Sequence, residues 1–166
     1  LGFDAALWCD IVDLGLPAMG VPQESGGLGL PLLDMALIAE VHGEFLAPAP
    51  LIETMVGLRL LARCGTVPEA VLGTALDKGS PLAILLRPAD GDASQLVPAG
   101  AVAPLLIGLD GDELVVAKSP APGVAARNIG ASPLAFRSLR EGSAKRIVLA
   151  RGAAARPDRC RHGPAR

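Results

Sequence analysis

The sequence predicts an α+β fold, an N-terminal helical bundle followed by a small antiparallel β domain, on three observations. Apolar residues recur at helical spacing from Phe3 to about Lys78. After Gly79-Ser80-Pro81 they come in short continuous runs bounded by Gly, Pro and Asp, which is strand patterning. At 166 residues the chain is long enough for one ordinary domain or two small ones with a sizeable core. Helices first and strands afterwards argue for two units. The expected division is a helical domain over 1–80, a small β domain over 81–150 and an Arg-rich, disordered and dispensable tail over 151–166.

Each element has its own signal. Phe3, Leu7, Ile11 and Leu14, with Trp8 and Val12 beside them, form a helical stripe that Gly15 ends in the left-handed conformation, with Trp8 in the core. Pro31 suits the first turn of a second helix, where Leu33, Leu37, Val41 and Phe45 recur every four residues with Ile38 alongside. Glu40 and Glu44 are expected on its other, solvated face. Pro50 opens a third helix carrying Leu51, Ile52, Met55, Val56, Leu58, Leu60 and Leu61, which Arg63-Cys64-Gly65 closes. It is apolar around much of its girth, so it is expected to be covered on more than one side or to leave an apolar surface for a partner. A shorter fourth helix fits Pro68 to Lys78. Among the strands, Leu82–Leu86 comes first, and Leu105–Leu109 and Leu114–Ala117 flank Asp110-Gly111-Asp112-Glu113, a hairpin signal. Ala125–Ile129, Leu134–Leu139 and Arg146–Ala150 complete the set.

Composition removes several classes. Hydrophobic residues make up 51% and charged residues 19%, too apolar for a disordered chain. With 20 Gly and 15 Pro, every apolar run falls short of a bilayer span, so no transmembrane helix is expected. Leu1-Gly2-Phe3-Asp4 lacks the cationic start of a secretory signal, and the chain reads as cytoplasmic. Residues 151–166 hold five Arg against one Asp, a formal +4, which leaves −6 for the rest of a chain whose net charge is −2. With Trp8, Phe3, Phe45 and Phe136 as the only aromatics there is no stacking set for bases, and nucleic acid is not an expected partner. Cys9, Cys64 and Cys160 are too few and too widely spaced for a disulfide framework, so they read as free, mostly buried thiols.

Catalytic motifs are sparse. Gly27-Leu28-Gly29 lacks the third glycine and the preceding strand of a phosphate loop, so the glycines between residues 15 and 30 read as turn formers between two helices. No Ser stands in a nucleophile-elbow setting. His42 reads as a solvated or capping residue, and Cys160-Arg161-His162 supplies too few ligands for a metal. Glu40, Glu44 and Glu53 could serve as bases only if burial raised their pKa. No catalytic residue and no metal ligand is assigned, and cofactor-binding residues remain unassigned.

The order of the pieces is more specific than any one of them. Trp8, Leu14-Gly15-Leu16, Val21-Pro22-Gln23-Glu24-Ser25-Gly26-Gly27-Leu28-Gly29-Leu30, Ala39-Glu40-Val41-His42-Gly43-Glu44 and Ala47-Pro48-Ala49-Pro50-Leu51 together resemble the N-terminal helical domain of the acyl-CoA dehydrogenase family, over residues 3 to 80. Leu96–Ala103 and the Asp110-Gly111 hairpin are similar, in shortened form, to that family's middle β domain. The resemblance implies FAD as cofactor, an acyl-CoA thioester as substrate, α,β-dehydrogenation as reaction and a homo- or hetero-oligomer as assembly. It also implies a Thr-Glu-Pro step whose Thr helps hold the flavin. This chain has Leu86-Arg87-Pro88 there, followed by Ala89-Asp90-Gly91-Asp92. The family's C-terminal helical domain, which carries its catalytic Glu, has no counterpart within these residues. The chain therefore reads as a truncated dehydrogenase, inactive and without tightly held FAD on its own. The alternative is a non-catalytic interaction or scaffold subunit paired with a catalytic acyl-CoA dehydrogenase.

Overall fold

The computed structural model describes residues 2–64, 73, 76, 79–119, 123–141 and 145–151. Three helices come first: α1 (Ala5–Asp13), α2 (Leu32–Glu44) and α3 (Leu51–Arg63). Six strands follow: β1 (Leu82–Ile84), β2 (Gln95–Val97), β3 (Leu105–Asp110), β4 (Glu113–Lys118), β5 (Ala135–Arg137) and β6 (Lys145–Arg151). The expected α+β order is thus observed. Of the expected fourth helix only Gly73 and Leu76 are described, and both are helical. The tail from Gly152 onward, with Cys160 and His162, lies outside the described residues.

Local chemistry sets the helix ends. The Asp4 carboxylate accepts hydrogen bonds from the N–H groups of Ala6 (2.9 Å) and Leu7 (3.0 Å), satisfying two donors at the start of α1. Gly15, at φ +72°, turns the chain out of α1 as expected. Trp8 is buried, and its indole N–H donates to the Gly79 carbonyl at 2.8 Å. Leu14 departs from the expected stripe, because it ends the helix and faces solvent.

Helix α2 departs further. Leu33, Leu37, Val41 and Phe45, the expected core stripe, are all exposed. The buried side carries Met35, with Ile38 packed beside it in a cluster of Trp8, Ile11, Met19, Leu51 and Met55. Glu40 and Glu44 are exposed as expected, but on the same outer side as the apolar stripe. Helix α3 is less exposed than its composition suggests. Leu51, Met55, Leu58 and Leu61 are buried, and only Ile52, Val56 and Leu60 look outward in part.

The main sheet has the order β1-β3-β4-β6. The β3–β4 and β4–β6 pairs are antiparallel as expected, whereas β1 joins β3 in parallel. Asp110 pairs with Glu113 across the hairpin, and Gly111 at φ +60° supplies the left-handed turn that its sequence signalled. Strand side chains alternate between two covered faces. Leu82, Leu105, Ile107, Leu114 and Val116 join Val21, Leu58 and Leu61 from the helical half. Ala83, Leu106, Val115 and Ala117 join Leu85, Val97, Ala99, Ala103 and Leu139 on the other face. Burial on both faces explains why these strands read as unbroken apolar runs. Thr54 ties the helices to the sheet, donating its hydroxyl to the Pro50 carbonyl (2.7 Å) and accepting from the Leu82 N–H (3.2 Å).

A second, two-stranded sheet pairs β2 with β5. Strand β2 was not expected as a strand. Ala125–Ile129, which was, contributes only a bridge from Ala125 to Ala135. Cys9 is exposed rather than buried, and burial pushes the half-buried Cys64 thiol above its ordinary pKa; neither is in a disulfide among the described residues.

Candidate functional site

The helical half and the strand half meet around a cleft of about 590 Å³. Its walls come from separated segments: His42 and Leu46–Pro50 at the α2–α3 connection, Ile52 and Glu53 on α3, Pro98 and Ala99 after β2, and Gly130 with Ser132–Leu134 before β5. Backbone hydrogen bonds from the N-terminal segment hold two of these walls in place. The Gly2 N–H donates to the Ala131 carbonyl at 2.5 Å, and the Asp4 N–H donates to the Pro48 carbonyl at 2.8 Å.

The lining is apolar and stiff. Pro48, Pro50, Pro98 and Pro133 have fixed backbones, and the alanines between them add little bulk. Among the described residues only His42 and Glu53 of the lining are ionisable, and no Lys or Arg lines the cleft. Such a surface accepts an uncharged apolar group and offers it few polar anchors. Three non-glycine residues have a left-handed backbone among the described residues, namely Leu46 (φ 48°), Ala99 (φ 59°) and Ala131 (φ 50°). Leu46 and Ala99 line the cleft, and Ala131 lies between its lining residues Gly130 and Ser132. Backbone strain of this kind costs about 1–3 kcal/mol per residue and concentrates at binding sites.

Sequence reasoning placed His42 in solvent or at a helix cap; it lies half-buried in the last turn of α2 and is one of the residues lining this cleft. Glu53 is half-buried there, and Glu40 and Glu44 are outside it. The proline-bearing segments Ala47–Leu51 and Leu96–Ala103 entered the family resemblance, but nothing in them signalled a shared cleft. Among the described residues no three His, Cys, Asp or Glu side chains form a group that could hold a metal.

The glycine-rich loop is a structural turn. The Gly29 N–H donates to the Val21 carbonyl and the Leu30 N–H to the Met19 carbonyl, both at 2.8 Å. A Cβ at Gly27 would lie 2.2 Å from the Val21 oxygen, so only glycine fits. Arg59 on α3 fastens both ends of the loop, donating from Nη1 to the Gly20 (3.2 Å) and Leu30 (3.4 Å) carbonyls.

The step Leu86-Arg87-Pro88 does not fit a flavin in the manner the resemblance implies. Leu86 has no hydroxyl and is 75% exposed. The Arg87 backbone is already paired: its N–H donates to Gln95 Oε1 (3.1 Å) and its carbonyl accepts from Gln95 Nε2 (2.9 Å). Gln95 is buried, so this pairing is protected from competing water. The chain mixed with excess FAD and then desalted is accordingly expected to show no stoichiometric flavin absorbance. A band equal to one flavin per chain would show that other residues hold the cofactor.

A helical bundle closed by this glycine loop thus packs on a small sheet across an apolar cleft. Residues 2–70, the helical part of the chain, match the family model described as acyl-CoA dehydrogenase, N-terminal domain. The chain is 36% identical over 106 residues to acyl-CoA dehydrogenase IpdE2 of Mycobacterium tuberculosis, a match covering 59% of this chain and 32% of that protein. To IpdE2 of Mycolicibacterium smegmatis it is 32% identical over 118 residues, covering 69% of this chain and 34% of that protein. Aligned residues thus span about a third of the length of these curated relatives. Among solved structures, the Tcur3481-Tcur3483 steroid ACAD G363A variant superimposes with a TM-score of 0.63 at 25% identity, over 82% of this chain and 46% of the other. No described helix is long and apolar enough to cross a membrane.

Proposed function

We propose that this chain is the acyl-binding part of an acyl-CoA dehydrogenase, which receives the apolar acyl group of a thioester for α,β-dehydrogenation in the cleft around Leu46, Pro48, Pro98 and Pro133. The cleft, bordered by three strained residues, carries the reading. FAD is the family's oxidant, and residues other than Leu86-Arg87 have to supply its contacts. On this reading the 166-residue chain is not active alone and works beside a flavin-holding chain or segment.

The cleft favours a ring-bearing acyl group over a linear one. A volume of about 590 Å³ with stiff proline walls suits a rigid ligand, which loses little conformational entropy on binding. The structural neighbour's description as a steroid ACAD points the same way. Calorimetric titration tests the reading with three probes: octanoyl-CoA, a bicyclic-ring acyl-CoA and free CoA. The ring-bearing thioester is expected to bind tightest and free CoA roughly tenfold or more weaker. Ala47→Trp, which fills the cleft, should abolish the difference without lowering Tm. Equal binding of free CoA and both thioesters, or binding indifferent to Ala47→Trp, would sink the proposal.

A further inference from the structure

Helix α2 ends in a turn closed by two backbone hydrogen bonds. The Ala47 N–H donates to the His42 carbonyl and the Leu46 N–H to the Gly43 carbonyl, both at 3.1 Å. This is the Schellman arrangement, and Leu46 stands at the position that glycine ordinarily fills. Its φ of 48° lies in the left-handed region, where the Cβ of a leucine crowds the backbone and a glycine would carry no such strain. The fold thus accounts for the turn but not for the side chain in it. Ala99 offers the contrast. Its backbone is left-handed too, at φ 59°, yet its methyl group is buried in the cluster of Ala83, Val97 and Leu106 and so serves the core. Leu46 joins none of the three buried clusters and is 85% exposed, but it is one of the residues lining the cleft, beside Ala47 and Pro48.

We propose that Leu46 is a specificity-determining residue of the cleft: a leucine occupies a glycine position because its isobutyl group packs on the ring system of the acyl group. The inference rests on the acyl-binding reading and adds to it the residue that selects a ring over a linear chain. The two hydrogen bonds of the turn fix the Leu46 backbone, so the isobutyl group is presented from a rigid mount. A rigid ring system cannot bend into the space left by a missing wall, whereas a linear chain can, so removing the isobutyl group penalises ring-bearing ligands most. The strain follows from the backbone angle and the turn alone and does not depend on what else lies over Leu46.

Leu46→Gly separates the needs of the fold from those of the ligand. It relieves the strained backbone, so Tm is expected to rise by about 2–4 °C. Calorimetric titration of the same variant is expected to show the bicyclic-ring acyl-CoA binding roughly tenfold weaker, octanoyl-CoA weakened less and free CoA unchanged. Leu46→Ala keeps the strained angle without the isobutyl group, and should lose affinity for the ring-bearing probe with no gain in Tm. Leu46→Met restores most of the apolar bulk and should recover most of that affinity. A merely structural leucine cannot give opposite changes in Tm and affinity, so a Leu46→Gly chain that melts below the parent overturns the proposal. So does one that melts higher and binds the ring-bearing probe as tightly as the parent, which would assign the side chain to another contact, such as a further segment of the same chain. In both cases the acyl-binding reading survives if the parent prefers the ring-bearing thioester to free CoA. A parent without that preference overturns both.

Discussion

Replacing Arg137 by methionine is expected to lower stability by about 3–5 kcal/mol, the range for removing one partner of a buried ion pair. Arg137 is 1% exposed on β5. Its Nη1 donates to the Gly100 and Ala103 carbonyls, its Nε donates to both Glu141 carboxylate oxygens (2.9 and 3.0 Å), and Nη2 also reaches Glu141. Methionine fills the same space but strands the buried Ala103 carbonyl, at about 1–3 kcal/mol, leaves the Gly100 carbonyl only its bond from the Gly123 N–H, and frees Glu141 from its cation. Lysine should recover only part of the loss, since one ammonium cannot reach the turn and the carboxylate in the same geometry. The pair also fixes a pH dependence. Burial pushes the Glu141 carboxyl up, but hydrogen bonds from Arg137, the Ser138 N–H and Ser119, with the Arg137 charge, outweigh it and hold its pKa below the ordinary value. A depressed folded pKa adds stability above the unfolded value, and this is lost as pH falls through the folded value. Urea unfolding at pH 7 and at about pH 3 should show the parent losing this contribution and Arg137→Met nearly indifferent to it. A variant that melts within about 1 kcal/mol of the parent at pH 7 would mean that the turn finds other donors.

What the sequence disclosed depended on how local the cause was. The Asp110-Gly111 hairpin and the Gly15 stop were legible because each needs one residue type at one backbone angle. The apolar runs of β1, β3 and β4 were legible as strands, since both faces of their sheet are covered. The face of α2 was not. A repeat of four residues drifts about 40° per step around a helix of 3.6 residues per turn, so Leu33, Leu37, Val41 and Phe45 sweep across the surface. With Met35, Ile38 and Ala39 the helix is apolar nearly all round, and tertiary packing chose its inner side: Met35 meets Met19, Leu51 and Met55. The cleft was illegible for a related reason. Its walls lie at residues 2, 42–53, 98–99 and 130–134, and only the completed chain path brings them together. The Gln95 clamp on Arg87 spans eight residues, yet no periodicity announces a carboxamide that bonds a backbone.

A close approach of helix to sheet yields a prediction with a change of sign. A Cβ placed on Gly57 of α3 would lie 2.1 Å from Leu82 Cδ2, so the β1 leucine occupies the space that any other residue at 57 would need. Leu82 is fully buried in a cluster with Val21, Leu58, Leu61, Leu105 and Ile107, so it can yield only among those neighbours. Gly57→Ala gains about 1 kcal/mol of helix propensity, but overpacking costs about 1–3 kcal/mol, so the single variant should be less stable than the parent. Leu82→Ala, which empties the site, is expected to cost about 2–5 kcal/mol. In that background the added methyl of Gly57→Ala enters vacated space, and both its propensity and its contacts count in favour of folding. The same substitution should therefore destabilise the parent and stabilise the Leu82→Ala chain. A double-mutant cycle from urea midpoints measures this directly, with coupling of about 1–3 kcal/mol expected for residues in contact. Strict additivity would show that Leu82 moves aside freely, and that the α3–β1 contact is looser than its geometry implies.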